Sequence, residues 1–262
     1  MTSLLKFSPA NAKTKELRKV EAIAAFLGSR LKIYSCDLLS GWSCPFAKDC
    51  LSKATLVEGD KLRIVDGPDT VFRCFSASQE VQYKNVYNSR KHNFDLLKAC
   101  KTGGQMANLI SDSMPKNLGV CRIHVAGDFF NQRYFDAWLQ VAKHNPHRLF
   151  YAYTKNLGVW IRRKHIIDNL PNFVLTASYG GKRDDLIESK NLRYAKVFMS
   201  DFEAYSNGLE IDHDDSHAAN PHTKGNSFAL LIHGTQPAGS LAAKAVKSLK
   251  GVGSYSRKGG AK

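Results

Sequence analysis

The sequence predicts an α/β fold in which strands and helices alternate to build a parallel sheet. Six short apolar runs have the pattern of buried strands, and longer runs with helical spacing separate most of them. Alternation of this kind gives parallel strands joined by right-handed crossovers. We therefore expect an open (β/α)6 partial TIM-like barrel, with a doubly wound sheet as the alternative. Residues 1–250 are expected to form a single domain, followed by a flexible basic tail over residues 251–262.

The elements of the first half are set by apolar spacing and turn residues. A helix is predicted over residues 15–27, where apolar side chains fall on one face, and residues 31–35 then alternate as the first strand. Residues 58–68 are polar and rich in turn formers, which predicts an excursion outside the core. A long helix is predicted to begin at a cap, Ser76 or Ser78, and to run towards residue 100.

The second half alternates regularly. The predicted helix over residues 132–143 has a clear pattern, because Tyr134, Phe135 and Trp138 fall on one face. Other helices are expected over residues 105–113, 157–167, 183–189 and 240–249. The six predicted strands begin at Leu31, Val120, Arg148, Asn172, Tyr194 and Ser227.

The charge of the chain favours a polyanionic partner. There are 38 Lys and Arg residues against 23 Asp and Glu residues, a formal net charge of +15. We expect nucleic acid as the partner and no membrane, because no run of 18 apolar residues and no basic amphipathic anchor is present. No acidic residue follows Asp215, and the basic residues expected to contact nucleic acid are Lys244, Lys247, Lys250, Arg257 and Lys258. The oligomeric state is left open.

Three of the six cysteines lie in a long loop after the first predicted strand. Cys44, Cys50 and Cys74 have the spacing C-x5-C-x23-C, and no secretory signal precedes them, so we expect metal ligands and not disulfides. Three thiolates suit an iron–sulfur cluster with one open iron. A structural zinc site would need a fourth ligand, for which Cys36 and His92 are the candidates.

Further candidate site residues follow the predicted strands. In parallel α/β sheets, reactive groups collect at the carboxyl ends of the strands. The candidates there are Gly127 and Asp128 after the second strand, Thr154 and Lys155 after the third, and Ser178 and Tyr179 after the fourth. Asp128 could alternatively cap the helix that begins near residue 132. Residues 212–217 have metal-ligand residue types, but such runs are more typical of a solvated loop.

Several of these segments together resemble the phage "gene product 88" family. The resemblance rests on residues 122–130, 134–138 and 151–155, together with the cysteine loop and residues 233–237, and it spans residues 31–255 approximately. It implies a phage-encoded protein that acts in the host cytoplasm.

A more distant similarity is to radical S-adenosylmethionine enzymes. In that family a three-cysteine loop after the first strand of a (β/α)6 partial barrel holds a [4Fe-4S] cluster, and a Gly-Gly-Glu-type motif after the second strand binds the cofactor's amino group. Cys44, Cys50 and Cys74 match the first feature by position, and Gly127-Asp128 loosely matches the second. The family's C-x3-C-x2-C spacing is absent. The similarity implies S-adenosylmethionine at Gly127, Asp128, Thr154, Ser178 and Tyr179, with Asp128 and Lys155 as catalytic residues.

These observations leave three functional hypotheses. The first is an iron–sulfur, radical S-adenosylmethionine-like enzyme that modifies a nucleic acid or a nucleotide. The second is a TIM-barrel DNA base-exchange enzyme of transglycosylase type, with Asp128 as nucleophile and a structural zinc. The third is a non-enzymatic nucleic-acid-binding protein stabilised by a metal.

Overall fold

The computed structural model describes residues 3–223 and 225–251. Within them the strands are β1 (Ser8–Pro9), β2 (Lys32–Cys36), β3 (Ser52–Val57), β4 (Lys61–Asp66), β5 (Leu118–Ile123), β6 (Leu149–Thr154), β7 (Phe173–Ser178), β8 (Tyr194–Phe198) and β9 (Phe228–Leu231). The helices are α1 (Ala12–Lys15), α2 (Glu21–Ala24), α3 (Phe75–Gln82), α4 (Lys84–Ala99), α5 (Gly103–Ser113), α6 (Gln132–His144), α7 (Leu157–Ile161), α8 (Lys164–Asp168), α9 (Asp185–Ser189), α10 (Asp201–Ser206), α11 (Ser216–Ala219) and α12 (Leu241–Ser248).

One mostly parallel sheet organises the chain. Seven strands pair in the order β1-β2-β5-β6-β7-β8-β9, and every neighbouring pair from β2 to β9 is parallel. The predicted α/β class and the six predicted parallel strands are thus confirmed. The strand order follows the chain without the reversal that defines a doubly wound sheet.

Both faces of the sheet are covered. Alternate residues of a strand point to opposite faces, so Cys121 and Phe150 pack on one face in a cluster with Trp138 of α6. Val120 and Tyr151 point to the other face, in a second cluster. Arg122 also points to this second face, where the cavity described below lies.

The structure differs from the sequence-based expectations in four segments. The predicted helix over residues 15–27 is divided into short helical segments because the backbone of Val20 is extended. The long helix towards residue 100 is divided into α3 and α4 because the backbone of Tyr83 is extended. The helix predicted over residues 157–167 is divided into α7 and α8. The excursion between Cys50 and Cys74 contains the antiparallel hairpin β3–β4, which the polar composition of residues 58–68 concealed.

The basic C-terminal segment is described only in part. Lys244 and Lys247 are exposed on α12, and Lys250 is exposed just after it. Arg257, Lys258 and the rest of the predicted tail beyond residue 251 lie outside the described residues. Among the helices of residues 3–223 and 225–251, none has the length and apolar character needed to cross a bilayer.

Candidate functional site

A cavity of about 340 Å³ lies at the carboxyl ends of the parallel strands. Its wall includes residues from the loops that follow β2, β5, β6 and β9 and from the last residue of β7. The sequence-predicted residues that line it are Cys44, Cys50, Cys74, Gly127, Asp128, Thr154, Lys155 and Ser178. The structure therefore brings most of the candidate site residues together around one space.

The three loop cysteines are the thiols on this wall. Cys44 and Cys50 lie between β2 and β3, and Cys74 immediately precedes α3. Cys36 and Cys121 are fully buried in the hydrophobic cluster on the opposite face of the sheet, away from the cavity wall. Cys36, one of the two candidate fourth ligands, therefore does not join the other three, and the second candidate, His92, bonds to the Leu4 carbonyl and is not on the cavity wall either.

Burial makes each of the three thiols hard to ionise. It raises the pKa of Cys74 to about 11 and raises the pKa of Cys44 and Cys50 as well. The thiolates also repel one another, while the ammonium of Lys155 lowers the pKa of Cys50. A bound cation would remove this penalty, because thiols bind metals as thiolates. Within the described residues, no three His, Cys, Asp or Glu side chains are arranged to hold a single metal ion.

A buried ion pair fixes the start of the cysteine loop. The Glu80 carboxylate of α3 accepts hydrogen bonds from the backbone N–H of Ser40 at 3.0 Å and from its hydroxyl at 2.7 Å. Arg90 of α4 donates to the same carboxylate oxygen at 3.1 Å.

Gly127 packs directly on this loop, with a φ of 97°, and a Cβ there would lie 2.6 Å from the Ser43 hydroxyl. Gly127 is thus needed for close packing beside Cys44.

The segment after β9 holds Cys74 in place. Gln236 accepts a hydrogen bond from the backbone N–H of Arg73 at 2.8 Å and donates to its carbonyl at 3.0 Å. Gly234 contacts Phe75 so closely that a Cβ would lie 2.5 Å from the Phe75 Cβ. The motif at residues 233–237, whose role the sequence did not reveal, therefore clamps both neighbours of Cys74.

Asp128 joins the ends of β5 and β6. Its Oδ1 accepts from the Phe129 N–H at 2.7 Å and the Thr154 hydroxyl at 2.6 Å, and its Oδ2 accepts from the Lys155 N–H at 2.8 Å. Burial raises the pKa of Asp128 to about 6 in spite of these bonds. It does not cap α6, because Asn131 does so by accepting from the Tyr134 N–H at 2.9 Å.

Lys155 and Tyr179 have more restricted roles than their positions suggested. The Lys155 ammonium donates to the carbonyl of Ser178 at 3.2 Å, to its hydroxyl at 2.8 Å and to the Tyr179 carbonyl. Three acceptors thus hold its three protons. The Tyr179 ring packs against Tyr194 and is not on the cavity wall.

A second set of charged residues on the wall was not predicted as a site. Lys13 and Arg122 both form ion pairs with Asp215, and the Tyr151 hydroxyl donates to the same carboxylate at 3.0 Å. These cations hold the pKa of Asp215 at about 2 although the carboxylate is buried. Arg122 could have indicated this set from the sequence alone, because it lies within an apolar strand. A buried charge needs a buried partner of opposite charge.

The comparisons with known proteins place the chain in a family. No match was found among curated proteins, and none among solved structures. The model of the gene product 88 family matches residues 3–250, nearly the whole chain. This match confirms the first resemblance. No comparison supports the similarity to radical S-adenosylmethionine enzymes. The chain belongs to the gene product 88 family.

Proposed function

We propose that the protein is an iron–sulfur enzyme whose cluster is held by Cys44, Cys50 and Cys74. The observation that carries the proposal is that these three thiols, and none of the other cysteines, lie on the wall of one cavity at the carboxyl ends of parallel strands. A [4Fe-4S] cluster with three cysteine ligands keeps one iron open for a small molecule. The donor set fits such a cluster because thiolates are the ligands that iron–sulfur clusters prefer.

The strands that reach the cavity wall support a barrel-like shape for the sheet. We propose that the parallel strands curve into a partial barrel around the cavity, because Arg122, Tyr153, Val197 and Leu230 reach its wall from four different strands. A three-cysteine loop after the first parallel strand of such a barrel is the arrangement of radical S-adenosylmethionine enzymes. Bound there, S-adenosylmethionine and the cluster would supply one-electron chemistry.

The chain's own residues would bind and orient this cofactor. The Asp128 Oδ2 accepts one hydrogen bond, from Lys155, so an acceptor position remains for an ammonium group. Thr154 and Gly127 lie beside Asp128 on the wall. Lys155 is held too firmly by its three acceptors to serve as a mobile base, and we assign it the role of a fixed positive charge beside Cys50.

A nucleic acid or nucleotide is the substrate class that the charge supports. The net charge of +15 favours a polyanion, and Lys244, Lys247 and Lys250 are exposed near the C-terminal end of the described residues. Phosphate contacts of these lysines would make binding strongly salt-dependent.

Metal analysis of anaerobically purified protein tests the proposal. We expect iron and acid-labile sulfide in equal amounts in the wild-type protein, and loss of both in each of Cys44→Ala, Cys50→Ala and Cys74→Ala. Cys100→Ala is the matched control, because Cys100 donates to a helix carbonyl away from the cavity wall. Zinc without iron, or full iron content in a variant of the three cysteines, would overturn the proposal.

A further inference from the structure

Two cations and one carboxylate meet on the cavity wall at Asp215. Lys13 Nζ lies 2.9 Å from the Asp215 Oδ1, and Arg122 pairs with Oδ2 of the same carboxylate. Both cations keep 13% of their side-chain surface exposed, whereas the Asp215 side chain keeps 1%. Two cations therefore share one carboxylate on a wall that a ligand can reach.

The Arg122 guanidinium is already oriented. Its Nε donates to the His124 carbonyl at 3.4 Å, its Nη1 binds Asp215, and its carbon lies 5.3 Å from the centre of the Tyr153 ring. Its Nη2 makes no hydrogen bond within residues 3–223 and 225–251. A guanidinium with one edge fixed and one donor unused is suited to an oxyanion.

Two further ionisable groups lie close to Lys13 and Arg122. Asp37 lies near enough to Arg122 to act on it electrostatically, but its carboxylate is bonded to Val125 and Ser35 and is not on the cavity wall. His233, which is on the wall, has its pKa lowered to about 4, mainly by burial and further by Lys13 and Arg122. His233 is therefore neutral at pH 7 and adds no charge of its own to the wall.

We propose that Lys13 and Arg122 form a subsite for an oxyanion, a phosphate or a carboxylate, of a small substrate that enters the cavity. The cavity, about 340 Å³, is within the size range of small-molecule sites. The inference rests on the proposed function, because it gives the substrate of the cysteine site a negatively charged group that these two residues hold.

Titration of the full chain with simple anions tests the subsite. Inorganic phosphate and acetate serve as probes in isothermal titration calorimetry. The ionic strength is fixed, so that non-specific attraction of the anions to exposed charges is screened equally in every variant. Lys13→Gln makes the triad neutral, and we expect it to raise the Kd of one probe about tenfold. Whichever anion shows this dependence identifies the group as a phosphate or a carboxylate.

Lys15→Gln is the matched control. It removes the same charge from the same short helix, but Lys15 is exposed and is not on the cavity wall. Arg122→Lys provides a second test, because it keeps the charge and removes the planar fork, and it should also weaken the probe. Equal Kd values in the wild type, Lys13→Gln and Lys15→Gln would overturn the subsite. Iron content is measured separately, so a metal-free protein would contradict the proposed function without changing the result of this titration.

Discussion

Two groups of residues on the same cavity wall differ in the direction in which the pKa values of their acidic side chains are shifted. The cysteine group consists of Cys44, Cys50, Cys74 and Asp128, and the Asp215 group consists of Lys13, Arg122 and Asp215. Burial raises the pKa of every member of the cysteine group, to about 6 for Asp128. The pKa of Asp215 is lowered to about 2 although its side chain is buried.

The difference arises from the partners and not from the burial. Asp215 has two cations in direct contact, so the Coulomb attraction exceeds the cost of desolvation. Among the three thiols, Cys50 is the one whose pKa the Lys155 ammonium lowers, and that ammonium is bonded to neutral oxygens. The cysteine group therefore favours a cationic partner, whereas the Asp215 group, with two cations around one carboxylate, favours an anionic one.

Asp215→Asn should have the largest effect on stability, because it removes the carboxylate that distinguishes the Asp215 group from the cysteine group. Removal of the carboxylate takes away the anion that Lys13 and Arg122 both contact, at a cost of roughly 3–5 kcal/mol. In a chain of this size we expect the Tm to fall by about 10 °C. Asp185→Asn is the control, because Asp185 and Arg183 form an ion pair that is more than half exposed. If differential scanning calorimetry gave the two variants the same Tm, the Asp215 group would not be a stabilising network.

Gln236→Ala should affect the cysteine group and leave the Asp215 group intact. It removes the hydrogen bonds that hold the backbone of Arg73 beside Cys74. Residues that orient metal ligands typically contribute about 10-fold to 100-fold to metal affinity. We therefore expect iron to be lost to a chelator at correspondingly lower concentrations, while the affinity for the anionic probe stays unchanged.

Gln132→Ala is the matched control for this variant. Gln132 bonds to Asp136 and Arg162 around α6, away from the cavity wall. Equal retention of iron in Gln236→Ala and Gln132→Ala would show that Gln236 does not position Cys74.

The parallel sheet could be predicted from the sequence because its strands are buried on both faces. A strand such as β7, with five of its six residues buried, appears in the sequence as a short apolar run. The rule that reactive groups follow such strands then brought Asp128, Thr154 and Lys155 to the cavity wall. These features depend on local patterns, which a single sequence contains.

The contacts that join distant segments could not be predicted in this way. Lys13 and Asp215 lie near opposite ends of the chain, and each is an ordinary surface residue type until the fold brings them together at 2.9 Å. The pairing of Gln236 with Arg73 is equally non-local. The hairpin β3–β4 was missed for another reason: β4 alternates between exposed and half-buried positions, and the buried residues of β3, Ser52 and Ala54, are small.

His217→Gln should have the smallest effect, through the loop that carries Asp215. The pKa of His217 is raised to about 9, first by the buried carboxylate of Asp212, 3.8 Å from Nδ1, and then by Glu210, 2.9 Å from Nε2. Arg193 faces the same segment and donates to the His217 carbonyl. A raised pKa means that folding favours protonated His217, so the stabilisation is fully present below about pH 6.5 and is lost as the pH rises through about 9.

The measurement is the Tm as a function of pH between about pH 6 and pH 9.5. Glu210 is largely exposed and its attraction is screened, so we expect protonated His217 to contribute only about 1 kcal/mol to the free energy of unfolding. Loss of this contribution should lower the Tm of the wild type by about 2–4 °C over this pH range. His217→Gln should lack this component of the fall. His222→Gln, which replaces an exposed histidine after α11, should keep it. Parallel curves for the wild type and His217→Gln would mean that His217 does not hold the loop, and that Lys13, Arg122 and Tyr151 fix Asp215 at the cavity wall without its help.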